Sequence, residues 1–391
     1  MHKSALKFST RAIHAGLNSD AFGSPHMPLY DTTTFKYATT EQMERVIDGR
    51  DSGYFYTRYG ANPSIVNIEH KLASLEEAGG ALAFASGMAA ISAALIAHGE
   101  RGIICMGELY GGSWQLMTEQ LGSLGRRVAF IEAGDTDGLR RYLQQGYGLV
   151  YFETPSNPLL QIIDIAAVAA IAHAHGALVA VDSTFATPVN QQTLTLGADI
   201  VIHSATKYLG GHSDLTGGVV AANADLLPAI NAWRKNLGQC MAPETAHLLA
   251  RSLATLELRV HRQNASAARI AAFLQAHVAV ERVFYPGLPQ HGGHDIAKKQ
   301  MSGFGGMLSV ALKAHVDAAV FVDRLQLFSL AVSLGGIESL VCQPCRTSHR
   351  GLSAEMKAEK GITDQLIRVS IGLEDVADLE QDLAQALVDI P

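Results

Sequence analysis

Through the middle of the chain, short runs of branched and aromatic apolar residues alternate with alanine-rich stretches. The apolar runs 81–84, 103–106 and 128–131 are each followed by a helical pattern, at 88–98, 114–124 and 138–145. The rhythm continues with 149–153, a helix over 165–175, then 178–182 and 199–203. Strand-length runs separated by helix-length amphipathic runs predict a mostly parallel sheet with crossover helices. Three of the predicted strands end on polar residues, Glu153, Asp182 and His203. Ligands of open α/β sheets gather outside the carboxyl ends of the strands, so these ends are where a site is expected.

The flanking regions read differently. Residues 1 to about 60 carry turn signals and little periodicity, which predicts an arm that packs on something else. Beyond Gly238 a long helical pattern runs through Leu274, followed by a strand-like run at 282–285 and a mixed segment ending in the amphipathic 376–387. These predict a smaller C-terminal α+β domain. The expected division is an arm over 1–60, a large α/β domain over 61–255 and a C-terminal domain over 256–391. No short repeat, low-complexity tract or flexible linker interrupts it, so close packing is expected.

Composition narrows the partners. The chain has 391 residues, too many for one ordinary core, and 48% of them are hydrophobic, as in a folded protein. A formal charge of -7 with no basic stripe argues against nucleic acid. Cys105, Cys240, Cys342 and Cys345 are too sparse for a disulfide framework, and Met1-His2-Lys3-Ser4 lacks the apolar core of a signal peptide. The apolar-leaning stretch 162–181 is broken by Asp164, His173, His175 and Gly176, so no membrane span is expected. A cytoplasmic protein is the expectation.

The most telling segment is Ser204-Ala205-Thr206-Lys207-Tyr208-Leu209-Gly210-Gly211, just past a predicted strand. Pyridoxal phosphate requires an amine for its aldehyde, hydroxyls for its phosphate and a close-fitting backbone, and this segment supplies all three. Two other readings share the letters. Ser204-x-x-Lys207 fits the serine-nucleophile motif of β-lactamases, but Ser213-Asp214 is followed by Leu215 and no Lys-Thr-Gly occurs. The other is a surface lysine in a glycine-rich turn.

Further candidates each carry an ordinary alternative. Ala85-Ser86-Gly87-Met88 joins a strand to a helix, either as a phosphate cradle or as a plain turn. Asp182 closes a buried strand, where a carboxylate is costly unless paired; its partner is either a protonated pyridine nitrogen or the backbone of the turn at Ser183-Thr184. Tyr110, before Gly111-Gly112, either stacks on a cofactor ring or belongs to the core. Arg58, in Tyr56-Thr57-Arg58, is either a phosphate ligand or a solvated arginine. Arg368, a charge within the apolar pattern Leu366-Ile367-Arg368-Val369-Ser370, pairs either with a substrate carboxylate or with a structural acid.

Taken together, these motifs resemble the Cys/Met-metabolism family of fold-type-I pyridoxal-phosphate enzymes, which includes cystathionine γ-synthases, cystathionine γ-lyases, methionine γ-lyases and homoserine-ester sulfhydrylases. The likeness runs from about Thr10 to the C-terminus. It rests on five ordered signatures: Tyr56-Thr57-Arg58, Ala85-Ser86-Gly87-Met88, Glu153-Thr154-Pro155-x-Asn157-Pro158, the run 199–208, and Arg368-Val369-Ser370-Ile371-Gly372-Leu373-Glu374.

The resemblance implies a fold-type-I α/β architecture, with a mostly parallel seven-stranded sheet and a smaller C-terminal domain. It implies pyridoxal 5'-phosphate as cofactor, with no metal. Lys207 would hold it as an imine, Asp182 would pair with the ring nitrogen and Tyr110 would stack on the ring. Ser86, Gly87, Met88, Thr184, Ser204 and Thr206 would complete the cofactor contacts. Tyr56 and Arg58 would reach the phosphate of a neighbouring subunit, making a homodimer the minimal unit and a homotetramer the usual one. Asn157, Glu338, Ser339 and Arg368 match positions near the ring oxygen and the substrate. In such a site Lys207 moves the Cα proton and Tyr110 is a proton donor to the leaving group.

Subfamily features are mixed. The cystathionine enzymes usually carry an acid where Phe55 stands and an arginine where Gln115 stands. Phe55 resembles methionine γ-lyases and sulfhydrylases, yet the cysteine common in methionine γ-lyases is Gly112 here. The runs Gly210-Gly211-His212-Ser213-Asp214 and Gly335-Gly336-Ile337-Glu338-Ser339 are more similar to the cystathionine γ-synthases and γ-lyases. The expected activity is γ-elimination on methionine or cystathionine, giving 2-oxobutanoate, ammonia and a thiol; the alternative is a γ-replacement synthase using an acylated homoserine. Cys342-Gln343-Pro344-Cys345 reads as two unpaired cysteines in a loop near the site, since no second pair completes a zinc site. His291-Gly292-Gly293-His294 reads as a solvated loop.

Overall fold

The computed structural model describes residues 6–17, 20–351 and 353–388. Seven strands form the larger sheet: β1 (Gly80–Phe84), β2 (Ile103–Met106), β3 (Val128–Ile131), β4 (Leu149–Glu153), β5 (Leu178–Asp182), β6 (Ile200–Ser204) and β7 (Gly218–Ala222). Their spatial order is β1-β7-β6-β5-β4-β2-β3. Every pairing is parallel except the two made by β7, with β1 and with β6. The mostly parallel sheet expected from the sequence is therefore present. The strand it did not reveal is β7, whose small apolar residues Gly218-Val219-Val220-Ala221-Ala222 are buried throughout and show no alternation.

Both faces of this sheet are covered, as parallel strands require. Leu149 and Tyr151 of β4 face the helix Gly87–His98, while Val150 and Phe152 face the helix Ile165–His173. A fully buried Leu or Ile contributes about 2 kcal/mol, so these alternating layers fix the register that delivers each strand end. The helical pattern at 114–124 begins earlier than predicted, as a helix Gly111–Gln115 that passes into a π-helical segment Leu116–Leu121.

The second sheet holds β8 (Val280–Phe284), β9 (Met307–Leu312), β10 (Ser329–Leu330), β11 (Leu340–Cys342) and β12 (Leu366–Ser370), in the order β10-β11-β12-β9-β8. All its pairings are antiparallel except β10 with β11. Ala267, Ile270 and Leu274 of the helix Leu256–Gln275, with Leu379 and Leu383 of the helix Val376–Ala386, pack on one face of it.

The N-terminal segment is anchored in places, Ala12 being buried and Lys71 Nζ donating to Ala12 O and Ile13 O, and open in others. The helix Thr40–Ile47 buries none of its residues, and Phe22, Leu29, Met43 and Ile47 are all exposed. Among the described residues no helix is long and apolar enough to cross a membrane.

Candidate active site

The site forms where β4, β5 and β6 end. Past Ser204 the chain turns tightly, the Lys207 N–H donating to Ser204 O and the Gly211 N–H donating to Lys207 O at 2.7 Å. The turn leaves Lys207 half-buried, not on the surface. Burial, with the charge of Arg368 second, pulls its ammonium down from the ordinary lysine range to about 8. Its Nζ donates to Ser333 Oγ at 2.8 Å.

Ser333 went unremarked in the sequence. It lies between β10 and β11 with φ +94, a conformation that L side chains rarely adopt. Two residues on, Gly335 presses against Tyr208, and a Cβ there would sit 2.7 Å from the Tyr208 nitrogen. The paired glycines at 335–336 were the sequence signal for this close approach.

The five small and polar cofactor-contact candidates come together. Ser86 caps the helix Gly87–His98 by accepting the Ala89 N–H at 3.1 Å. Gly87 lies so close to Ser204 that an added Cβ would be 2.8 Å from Ser204 Cβ. The Ser204 N–H donates to Thr184 Oγ1 at 2.8 Å. Thr206 Oγ1 accepts the Gly217 N–H at 3.1 Å, and the adjoining Gly218 packs directly on Ser86 O. A helix N-terminus, two glycines and four hydroxyls thus converge beside Lys207, a donor set suited to a phosphate monoester.

Asp182 closes β5 half-buried and accepts the Thr184 N–H on Oδ1 at 2.9 Å. Burial raises its carboxyl, and the hydrogen bonds from Thr184 oppose the rise. Glu153, at the end of β4, is pushed up to about 8 by burial and then by the charge of Asp182. Glu153 Oε1 accepts the Tyr110 N–H at 2.8 Å. The Tyr110 ring is 46% exposed, so it is not a core tyrosine. It packs against Gly112, as does the Met88 sulfur.

Arg368 is buried on β12. Its Nη1 donates to Asn157 Oδ1 at 3.1 Å and its Nη2 to Ser333 O at 2.9 Å. Among the described residues it makes no ion pair, so its charge faces only neutral oxygens. A buried cation in that state is a receptor for an anion. A cavity of about 640 Å³ opens nearby, lined by Gly111, Trp114, Gln115, Glu119, Ser348 and His349.

Three candidates bond elsewhere in this chain. Arg58 is exposed; its Nη1 donates to Lys235 O at 2.6 Å, and its guanidinium lies over the rings of Tyr59 and Tyr56. Ser339 is buried, its hydroxyl donating to Glu374 and accepting the Gly372 N–H. Glu338 is bonded by the Ser213 hydroxyl. Two minor expectations need correction. His291 is buried and accepts the Gly293 N–H, and His294 bonds to Pro286 O, so the glycine pair shapes a packed turn and not a solvated loop. Cys342 lies at the end of β11 and Cys345 in a short 3-10 turn, both buried and unpaired, so the first is in a strand and not a loop.

Residues 9–388 match the family described as Cys/Met metabolism PLP-dependent enzyme. The chain is 41% identical over 384 residues to an L-methionine gamma-lyase of Fusobacterium nucleatum subsp. polymorphum, covering 97% of each. It is 42% identical over 382 residues to a cystathionine beta-lyase of Lactococcus lactis subsp. cremoris (strain MG1363), covering 97% of this chain and 98% of the other. Among solved structures it is similar to the cystathionine gamma-lyase from Lactobacillus plantarum complexed with L-serine. That match has a TM-score of 0.92 and 37% identity, with 98% and 99% of the two chains covered.

Proposed function

Since the chain belongs to the Cys/Met-metabolism family of pyridoxal-phosphate-dependent enzymes, we propose that it cleaves the γ carbon–sulfur bond of methionine or cystathionine, releasing 2-oxobutanoate, ammonia and a thiol. It is a pyridoxal-phosphate-dependent carbon–sulfur lyase, as its full-length relatives are. The finer choice of a γ-bond and of these substrates is the reading we put forward. The observation that carries it is Arg368, a buried guanidinium without an acidic partner among the described residues, tied through Ser333 to the Lys207 amine.

The residues present fit the cofactor. Lys207 would hold its aldehyde, the cradle of Ser86, Gly87, Thr184, Ser204 and Thr206 its phosphate, and Asp182 its ring nitrogen, with Met88 and Tyr110 against the ring. When bound, it supplies an electron sink for the pair released from the substrate Cα. The chain's residues do the rest. Arg368 and Asn157 would grip the α-carboxylate and so orient the Cα–H bond toward Lys207. Lys207 Nζ, brought to about 8 by its surroundings, has an appreciable neutral fraction near pH 7.5 and can take that proton. The exposed Tyr110 hydroxyl would hand a proton to the departing sulfur. The cavity beside Gly111 and Gln115 would receive the thio-substituent, and Gln115, where the cystathionine enzymes usually carry arginine, weakens a site built for the distal charged end of cystathionine.

Arg58 and Tyr56 would serve a neighbouring subunit, which makes a homodimer the working unit and a homotetramer the expected assembly. Support comes from the N-terminal segment, where Phe22, Leu29, Met43 and Ile47 are exposed in the single chain. The arm over 1–60, the large domain over 61–255 and the C-terminal domain over 256–391 remain our division of the chain. A cytoplasmic location, with neither nucleic acid nor membrane as partner, fits the charge and composition.

The test is a substrate panel of methionine, cystathionine, cysteine, O-acetylhomoserine and O-succinylhomoserine, with and without an added thiol. Appearance of 2-oxobutanoate from methionine or cystathionine alone supports γ-elimination. Turnover of an acylated homoserine only when a thiol is added would instead identify a γ-replacement synthase.

A further inference from the structure

The signature Glu153-Thr154-Pro155 leaves its first residue without a role in the reading above. Glu153 and Asp182 are register partners at the ends of the parallel strands β4 and β5. Neighbouring strands lie about 4.8 Å apart, so both side chains leave the same face of the sheet within a few ångströms of each other. Glu153 is buried, and its Oε1 accepts both the Tyr110 N–H at 2.8 Å and the Tyr151 hydroxyl at 3.4 Å. The Tyr110 N–H stands at the start of the helix Gly111–Gln115, so this bond fixes where the Tyr110 ring begins.

Two carboxylates this close in a buried place cannot both stay charged cheaply, and one of them takes a proton. The groups facing Glu153 are Asp182 on β5, Tyr151 on its own strand, Cys105 on β2, and Ser113 on the helix Gly111–Gln115. None is a cation. Asp182, by contrast, has the Thr184 hydrogen bonds and His203 of β6 to favour its anion. Burial and the Asp182 charge raise Glu153 to about 8, which agrees with this asymmetry.

We propose that Glu153 is a positioning residue for the cofactor ring: as an uncharged acid it fixes the Tyr110 backbone and leaves Asp182 the single anion available to the ring nitrogen. This rests on the cofactor reading given above.

The experiment uses cofactor-loaded wild type, E153Q and E153A. Glutamine reproduces the shape and hydrogen-bonding capacity of the protonated acid and never ionises. The first readout is the circular dichroism that the protein induces in the visible band of bound pyridoxal phosphate, which reports ring orientation. E153A should lose at least half of that signal and at least tenfold in kcat, and E153Q should recover most of the signal. The second readout is the melting temperature at pH 5 and at pH 8. Between about 4.5 and about 8 the folded wild type holds a proton that the unfolded chain does not, so its stability falls as pH rises. Glutamine has no such dependence, so the melting temperature of E153Q minus that of wild type should widen from pH 5 to pH 8. A constant difference, or an E153Q signal as low as that of E153A, overturns the proposal. Should E153A fail to fold, E153Q and wild type alone decide both points, because an ionised Glu153 predicts a lost signal and no widening. A wild type with no visible band would instead sink the cofactor reading, a failure distinct from these.

Discussion

Lys207 Nζ donates to Ser333 Oγ across 2.8 Å, joining the turn after β6 to the loop between β10 and β11, 126 residues further along the chain. The same Ser333 gives its carbonyl to Arg368, so one residue in a rarely populated backbone conformation holds both the amine and the guanidinium. Strain of this kind persists where surrounding contacts over-determine it, and here those contacts are the two cationic groups of the site.

Replacing Ser333 with alanine should therefore disturb chemistry more than binding. The Ser333→Ala chain loses the acceptor that orients Nζ, while the carbonyl that holds Arg368 remains. We expect kcat to fall by about tenfold, the effect of losing one hydrogen bond of about 1.4 kcal/mol in the transition state, with KM and cofactor content close to wild type. A variant with unchanged kcat would remove Lys207 orientation from the functions of this loop.

Arg368 gives the complementary result. Its two bonds are to neutral oxygens, and in the proposed function its charge would receive the α-carboxylate. Arg368→Ala should raise KM for the amino acid by about a hundredfold, corresponding to the loss of a charge-assisted pair of about 3 kcal/mol, with the visible cofactor band retained. Steady-state kinetics with absorbance spectra check both halves, and an unaltered KM would place the carboxylate elsewhere.

The Lys207 amine also sets a pH dependence. Its folded value, about 8, lies below the unfolded lysine value of about 10.5, because the half-buried ammonium is poorly solvated and repelled by Arg368. The unfolded chain therefore binds more protons between these values. Cofactor-free protein should gain stability as pH rises from about 8 to about 10.5, and below 8 it bears the full cost of the buried charge. Only the neutral amine attacks an aldehyde, so the rate of reconstitution with pyridoxal phosphate should climb with a midpoint near pH 8. A midpoint above pH 10 in stopped-flow absorbance would mean that Lys207 behaves as an exposed lysine.

Much of this site was legible in the sequence because its residues sit where local pattern changes. Lys207, Asp182 and Ser204 follow or close apolar runs and Gly87 marks a strand-to-helix turn, so pattern marked the positions, while the motif residues and the family resemblance gave them their expected roles. Arg368 stood out as a charge in an apolar strand, and among the described residues no acid pairs with it. Ser333 was not legible, because its role comes from a contact with a distant turn and from a backbone angle that a serine does not announce. The strand β7 was missed for a related reason: a run of small residues buried on both faces has no alternation to read. The packed turn at His291 shows the converse, since a glycine pair between histidines reads as exposed until tertiary contacts are known.

The contribution of the N-terminal arm can be tested without a structure of the assembly. In its own chain Arg58 is exposed and among the described residues bonds to Lys235 O, stacking on Tyr59 and Tyr56, while the arm presents the exposed apolar side chains of Phe22 and Ile47. If Arg58 serves the neighbour's phosphate, a Lys207→Ala chain and an Arg58→Ala chain are defective in different halves of the same site. Each alone should be impaired: the first without a covalent cofactor band, the second with cofactor affinity weakened by about tenfold, the value of one partly exposed charge-assisted contact. Unfolded together and refolded as a mixture, the two chains form hybrid dimers. In each hybrid, one site combines the intact Lys207 of one chain with the intact Arg58 of the other and is fully native. Activity at limiting cofactor should therefore rise above that of either parent, in proportion to the hybrid fraction. A mixture no more active than the average of its parents would confine each site to a single chain and leave the exposed arm without this role.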